Sequence, residues 1–108
     1  MSGERRAWRR VHYARGALPP DARVHPARDV IVVNLSRGGA LVEGGWRFRP
    51  GATATLHLRC GTRDVAARSV IERCVVHALE RGGVRYRAAL RFDEALSTEP
   101  PADALSFA

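Results

Sequence analysis

Apolar and polar residues alternate along much of the chain, and this alternation predicts β-strands. In two segments, residues 52–59 and 84–92, every second residue is apolar. A period of two places the apolar side chains on one face, as in a half-buried antiparallel strand. The residues predicted to face the interior are Ala52, Ala54, Leu56 and Leu58 in the first segment and Val84, Tyr86, Ala88, Leu90 and Phe92 in the second.

Shorter runs predict further strands. The β-branched segment 29–35 (DVIVVNL) and the segment 39–43 (GALVE) each read as a strand. A short edge strand is expected near Ala22–His25, because the prolines around it exclude a helix. Residues 81–83 (RGG) tolerate positive φ and suit a hairpin turn before the last strand.

Residues 65–80 (VAARSVIERCVVHALE) carry two competing signals. Several apolar residues have helical spacing, but the run is rich in β-branched residues and a glycine turn follows it. A long, bulged strand paired with residues 84–92 is the favoured interpretation, and a helix is the alternative.

Five or six short strands with glycine turns predict an all-β domain, built as a small antiparallel barrel or sandwich. The length of 108 residues suits one domain. We expect residues 1–10 to form a basic arm, residues 11–95 the barrel and residues 96–108 a tail. Residues 93–97 (DEALS) are expected to begin a short helix capped by Asp93.

The chain is basic, with 18 Lys+Arg against 11 Asp+Glu and a net charge of +7. All of the cations are arginine, which codon bias can explain for the total but not for their clustering. The N-terminus lacks the apolar segment of a secretory signal, and no apolar run approaches the roughly 18 residues of a membrane span. Cys60 and Cys74 stand outside any CxxC pattern and are expected to be reduced thiols. These features predict a cytoplasmic protein without a membrane partner.

Catalysis and metal binding are not expected from the side chains present. His12, His25, His57 and His77 are scattered and do not pair with the cysteines at metal-ligand spacing. Ser36 has no neighbouring base in the sequence. Binding to RNA or single-stranded DNA would call for several exposed aromatics, and the chain has only 2 Trp, 2 Tyr and 3 Phe.

The first candidate binding motif lies in residues 4–11 (ERRAWRRV). Arg6 and Arg10 are four residues apart, as are Arg5 and Arg9. Each guanidinium can donate two parallel hydrogen bonds to a phosphate, or to O6 and N7 of guanine. The alternative is a solvated basic arm without a ligand.

The second motif is Asn34, Ser36 and Gly39, in the pattern N-x-S-x-x-G. Asn34 and Ser36 would project to the same, outer face of a strand, with Leu35 facing inward. An amide beside a hydroxyl can contact a purine edge or a phosphate oxygen, and glycines allow a ligand to approach the backbone. The alternative is a tight turn in which both side chains bond to their own backbone.

Taken together, the two motifs resemble those of the PilZ domain family. The matching residues are Arg6-Ala7-Trp8-Arg9-Arg10 and Asn34-Leu35-Ser36-Arg37-Gly38-Gly39, and the resemblance extends over residues 4–95. It implies a six-stranded antiparallel β-barrel, often with a C-terminal helix, that binds cyclic di-GMP without a metal. It also implies that Arg6 and Arg10 clamp the nucleotide and that Asn34, Ser36 and Gly39 line its other side. Arg5 and Arg9 are the alternative clamp, and Asn34 stands where the family more often has aspartate.

The resulting hypothesis is a non-enzymatic receptor for cyclic di-GMP. Binding would change the conformation near the barrel and transmit the signal to an unidentified protein partner. A second hypothesis is a PilZ-like adaptor that does not bind nucleotide and acts through protein–protein contact.

Overall fold

The structure is a computed structural model that describes residues 9–13, 21–24, 28–60, 62–97 and 100. These residues contain no helix, and their regular elements are all β-strands. The strands are β1 (Val11–His12), β2 (Asp21–Val24), β3 (Arg28–Ser36), β4 (Gly39–Gly44), β5 (Thr53–Cys60), β6 (Arg63–Glu80) and β7 (Gly83–Phe92).

The strands form one antiparallel sheet that closes into a ring. The order around the ring is β3, β2, β5, β6, β7 and β4, and β4 pairs back onto β3. The two-residue strand β1 adds to β3, so the described residues form seven strands where the alternation predicted five or six. The predicted all-β antiparallel architecture is confirmed, and the ring is barrel-like.

The interior is filled by the apolar face of each strand. Ala54, Leu56 and Leu58 of β5 are buried, as are Ala88, Leu90 and Phe92 of β7, which confirms the predicted inward faces of both strands. Val84 and Tyr86 lie on the same face of β7 but are only half-buried, because they lie toward the hairpin end of the strand. The buried core therefore does not extend to the turn that joins β6 and β7.

The predicted long strand over residues 65–80 is confirmed as β6. It pairs with β5 through residues 63–70 and with β7 through residues 69–80. The β6–β7 register shifts twice, between Ile71 and Arg73 and between Val76 and Ala78. A straight strand of this length would extend roughly 60 Å, whereas the longest dimension of the molecule is 36 Å. Strand β6 must therefore bend, and bulges provide local bends.

The strand predicted near Ala22–His25 forms as β2, but it is not an edge strand. It pairs with β3 on one side and with β5 on the other. Ala22 and Val24 are buried, and this inward face keeps β2 within the ring. The predicted edge position was wrong. Prolines beside a strand indicate where the strand ends, but they do not indicate which strands pair with it.

The predicted short helix at residues 93–97 was also wrong. The backbone N–H of Asp93 donates to the Arg68 carbonyl oxygen at 2.8 Å. Farther along, the Leu96 N–H donates to the Arg37 carbonyl oxygen at 2.8 Å, and the Arg37 Nε donates to the Leu96 carbonyl oxygen at 2.7 Å. These bonds hold the segment against the sheet, and Leu96 packs on the core. Tertiary contacts thus override the local helix signal.

Gly39 is required by the contact between β4 and β7. A Cβ atom at this position would overlap the Leu90 carbonyl oxygen, which is backbone and cannot move aside.

Gly39→Ala should therefore lower the free energy of unfolding by roughly 1–3 kcal/mol, measured by urea denaturation. The matched control is Gly82→Ala, because a Cβ at Gly82 meets no atom within 4 Å. Equal stability of the two variants would contradict this role of Gly39.

Candidate functional site

The pairing of β1 with β3 brings Arg10 to the second sequence motif. Val11 lies opposite Leu35 and His12 opposite Asn34. The Tyr13 N–H continues the ladder by donating to the Val33 carbonyl oxygen at 2.9 Å. The same register extends back to place Arg10 opposite Ser36. Because opposite residues of an antiparallel pair share a face, Arg10 lies on the outer face with Ser36.

Arg10, Asn34 and Ser36 form a polar cluster. Arg10 Nη1 donates to Asn34 Oδ1, and Arg10 Nη2 lies 3.4 Å from Ser36 Oγ. The partners are 24 and 26 residues apart in the chain, so only the fold brings them together. Asn34 and Ser36 are 8% and 2% exposed, whereas Arg10 is exposed. The cluster therefore presents one accessible guanidinium held by two buried acceptors.

Ser36 also stabilises the β3–β4 turn. Its Oγ accepts a hydrogen bond from the Gly38 N–H at 3.2 Å and donates to the Gly39 carbonyl oxygen at 3.4 Å. The tight-turn interpretation of the motif thus holds for Ser36, while Asn34 uses its side-chain oxygen for Arg10. The absence of a side chain at Gly39 is explained by the neighbouring Leu90 carbonyl oxygen.

A row of outer-face residues crosses four strands from this cluster. Asn34 lies opposite Leu41, Leu41 opposite Ala89, and Ala89 opposite Arg73. Neighbouring strands are about 4.8 Å apart, so the row extends roughly 14 Å. The middle of the row is apolar, and it projects little from the surface because the Ala89 side chain is small. The two ends of the row are polar.

A surface depression of about 570 Å³ lies along this row. This volume falls within the range of about 300–1,000 Å³ that is typical of small-molecule sites. The depression is lined by Arg10, Asn34, Ala40, Leu41, Glu72, Arg73, Ala89 and Leu90. Its lining combines apolar side chains with the hydrogen-bonding groups of Arg10, Asn34, Glu72 and Arg73.

The charges around the depression favour an anion. Arg10 and Arg73 line it at opposite ends, with one carboxylate, Glu72, beside Arg73. Glu72 is itself paired with Arg91 at 3.4 Å, which offsets its negative charge. Positive potential in a concave site raises the local concentration of anionic ligands.

The residues proposed from the sequence are only in part brought together. Arg10 contacts both Asn34 and Ser36, and the carbonyl oxygen of Gly39, the first residue of β4, accepts a hydrogen bond from Ser36. Arg9 is exposed beside the cluster. The remaining proposed arginines, Arg5 and Arg6, lie outside the described residues.

Glu72 and Arg73 were missed by the sequence reasoning. They lie at the first register shift of β6, which turns two consecutive residues toward one residue of β7, Ala89. Their signal in the sequence is a pair of charged residues inside an otherwise β-branched and apolar run, Val70 to Val76. Such a pair on a half-buried strand indicates a bulge.

Within the residues that the structure describes, no three His, Cys, Asp or Glu side chains are grouped so that they could hold a metal ion. Over the same residues, no helix has the length and apolar character needed to cross a membrane. Comparison with known proteins gives no further information: no protein-family model, curated protein or solved structure matches this chain.

The cluster predicts that two of its members differ in their effect on stability. Ser36→Ala removes the acceptor of the buried Gly38 N–H and should cost about 1–2 kcal/mol of unfolding free energy. Arg10→Ala should cost about 0.5 kcal/mol or less, because Arg10 is exposed and water can replace it. Chemical denaturation of both variants tests this order, and a greater loss for Arg10→Ala would contradict it.

Proposed function

We propose that this protein is a receptor for cyclic di-GMP with a binding site of the PilZ type. The observation that carries the proposal is the contact of Arg10 with Asn34 and Ser36 at the edge of the depression. It joins the two sequence motifs, which are separated along the chain, in one accessible and positively charged place.

The chemistry of the depression suits a guanine dinucleotide. In the proposed complex, a guanine ring packs on Leu41 and Ala89, which line the depression. The Arg10 guanidinium donates paired hydrogen bonds to a phosphate, or to O6 and N7 of guanine. Arg73 provides a second cation about three strand spacings away, and two cations match the two phosphates of the ligand. Arg6 is the further arginine that the motif contributes to the clamp.

Signal transmission follows from how the N-terminal arm joins the ring. Two residue pairs of β1 attach it to β3, directly beside Arg10. A ligand that draws Arg10 across the depression repositions this attachment and changes the surface there. A protein partner that recognises the altered surface then receives the signal.

The second candidate is an adaptor that binds a protein and no nucleotide. One observation favours it: Asn34 and Ser36 are already buried and bonded, so they serve the fold without a ligand. An adaptor would not need Arg10 for partner binding. The two candidates therefore differ in whether nucleotide binds at all.

Calorimetric titration with cyclic di-GMP at low salt tests the proposal. The wild type should bind saturably, and Arg10→Ala should bind about 10–100-fold more weakly, because a charge-assisted hydrogen-bond pair is lost. Arg73→Ala should weaken binding by a similar factor. Replacing Arg6 and Arg10 together should abolish binding, and Ser36→Ala should weaken it.

Arg9→Ala is the matched control, because it removes the same charge from the neighbouring exposed position. It should change the affinity by less than about threefold. A loss with Arg9→Ala and none with Arg10→Ala would move the clamp to Arg5 and Arg9. Absence of binding by a folded wild type would reject the receptor and favour the adaptor.

A further inference from the structure

The β6–β7 hairpin extends beyond the ring of strands. β4 ends at Gly44, which pairs with Tyr86, so residues 83–85 of β7 lie past it. On the other side, β5 pairs with β6 only as far as Val70. Ile71 makes two backbone hydrogen bonds to the loop at Gly51 and Ala52, of 2.7 and 2.9 Å. We call residues 72–86 the hairpin arm.

The arm exposes three large apolar side chains. Val75, Val76 and Leu79 are 55%, 58% and 80% exposed. Val76 and Leu79 share one face of the strand and Val75 lies on the other, because their β7 partners are Tyr86, Val84 and Arg87. Large apolar side chains are usually buried. Burial of this surface against a partner would be favourable.

The outer edge of the arm is a strand edge without a partner strand among the described residues. From Glu72 to Glu80, β6 pairs with β7 on one side only. An unpaired strand edge presents backbone N–H and C=O groups that can pair with another strand. The arm thus combines apolar side chains with a backbone template about 30 Å long.

The charges of this segment are arranged for antiparallel pairing with itself. The segment 72–81 reads ERCVVHALER, with Glu-Arg at each end. In one antiparallel register, Arg73 lies opposite Glu80 of a second copy. This ion pair then occurs twice across the twofold axis. A slip of one residue would turn Arg73 and Glu80 to opposite faces and break the pair.

The second bulge of β6 makes this register possible. Arg73 and Glu80 are seven residues apart, so a regular strand would place them on opposite faces. The shift between Val76 and Ala78 corrects this, because their β7 partners, Ala89 and Gly83, are six residues apart. The two residues therefore share a face and can meet across the pair.

The apolar residues between Arg73 and Glu80 also form pairs that share a face. Cys74 and Leu79 pair with Ala88 and Val84 of β7, which are four residues apart and share a face. The chosen register places Cys74 opposite Leu79 of the second copy, and Val75 opposite Ala78. These two pairs are apolar and lie on opposite faces, with Val76 and the bulge residue His77 between them.

We infer that two copies of this chain associate through the β6 edges of their hairpin arms, which pair antiparallel across a twofold axis. The register is the one that joins Arg73 to Glu80. Two sheets become continuous across the interface, and the exposed Val75, Val76 and Leu79 gain neighbours. Its test needs no nucleotide, and the dimer engages Arg73, which the proposed nucleotide site also uses.

Sedimentation velocity of the full chain over a range of concentrations tests the inference. The wild type should form a species of twice the 11.9 kDa chain mass. Arg73→Glu should raise the dimer dissociation constant at least about tenfold, because the introduced carboxylate would oppose that of Glu80 twice. Glu80→Arg should act alike, and the double variant Arg73→Glu/Glu80→Arg should restore the dimer.

Two further variants separate the register from general charge effects. Arg59→Glu makes the same charge change at an exposed position of β5 and should leave the dimer intact. Leu79→Lys should weaken the dimer without harming the fold, because Leu79 is 80% exposed. Circular dichroism verifies folding of every variant. A wild type that stays monomeric, or a dimer unaffected by Arg73→Glu and Leu79→Lys, would overturn the inference.

Discussion

The position of Arg10 depends on two residue pairs between β1 and β3. These pairs, Val11 with Leu35 and His12 with Asn34, set which face of the sheet the arginine occupies. A slip of one residue would turn Arg10 to the opposite face, away from Asn34 and Ser36. Burial of Val11 and Leu35 in the core resists that slip. The hydrophobic interior thereby fixes the geometry of a polar site on the outside of the ring.

Strand pairing also positions the other end of the depression. The first bulge of β6 turns Glu72 and Arg73 toward Ala89, and it occurs where the strand leaves β5 and continues along β7. The second bulge adjusts the faces of the exposed arm. The 18-residue strand β6 must bend to follow the ring, and it bends at its two bulges. The residues at these bulges also form part of the outer surface. The same residues therefore allow the strand to bend and determine the chemistry of the outer face.

Much of this could be read from the sequence because β-structure has a simple period. The alternation in residues 52–59 and 84–92 predicted the inward faces of β5 and β7, and β-branched residues revealed β6 despite its helical spacing. The helix at 93–97 was predicted wrongly, since hydrogen bonds to Arg37 and Arg68 are not visible in local propensity. Arg73 was missed because a bulge changes which face a residue occupies. Spacing suggested Asn34 and Ser36 as a pair, but only strand pairing brings Arg10 to them.

The cluster of Arg10, Asn34 and Ser36, together with the residues that line the depression beside it, is the proposed nucleotide site. Two-dimensional NMR of the uniformly ¹⁵N-labelled protein during addition of cyclic di-GMP tests this most directly. Binding at this site should produce saturable shifts of the Asn34 side-chain amide and of the Leu41, Arg73 and Ala89 backbone amides, with little change in Thr55 and His57 of β5. Shifts confined to other surfaces, or none at ligand excess, would contradict it.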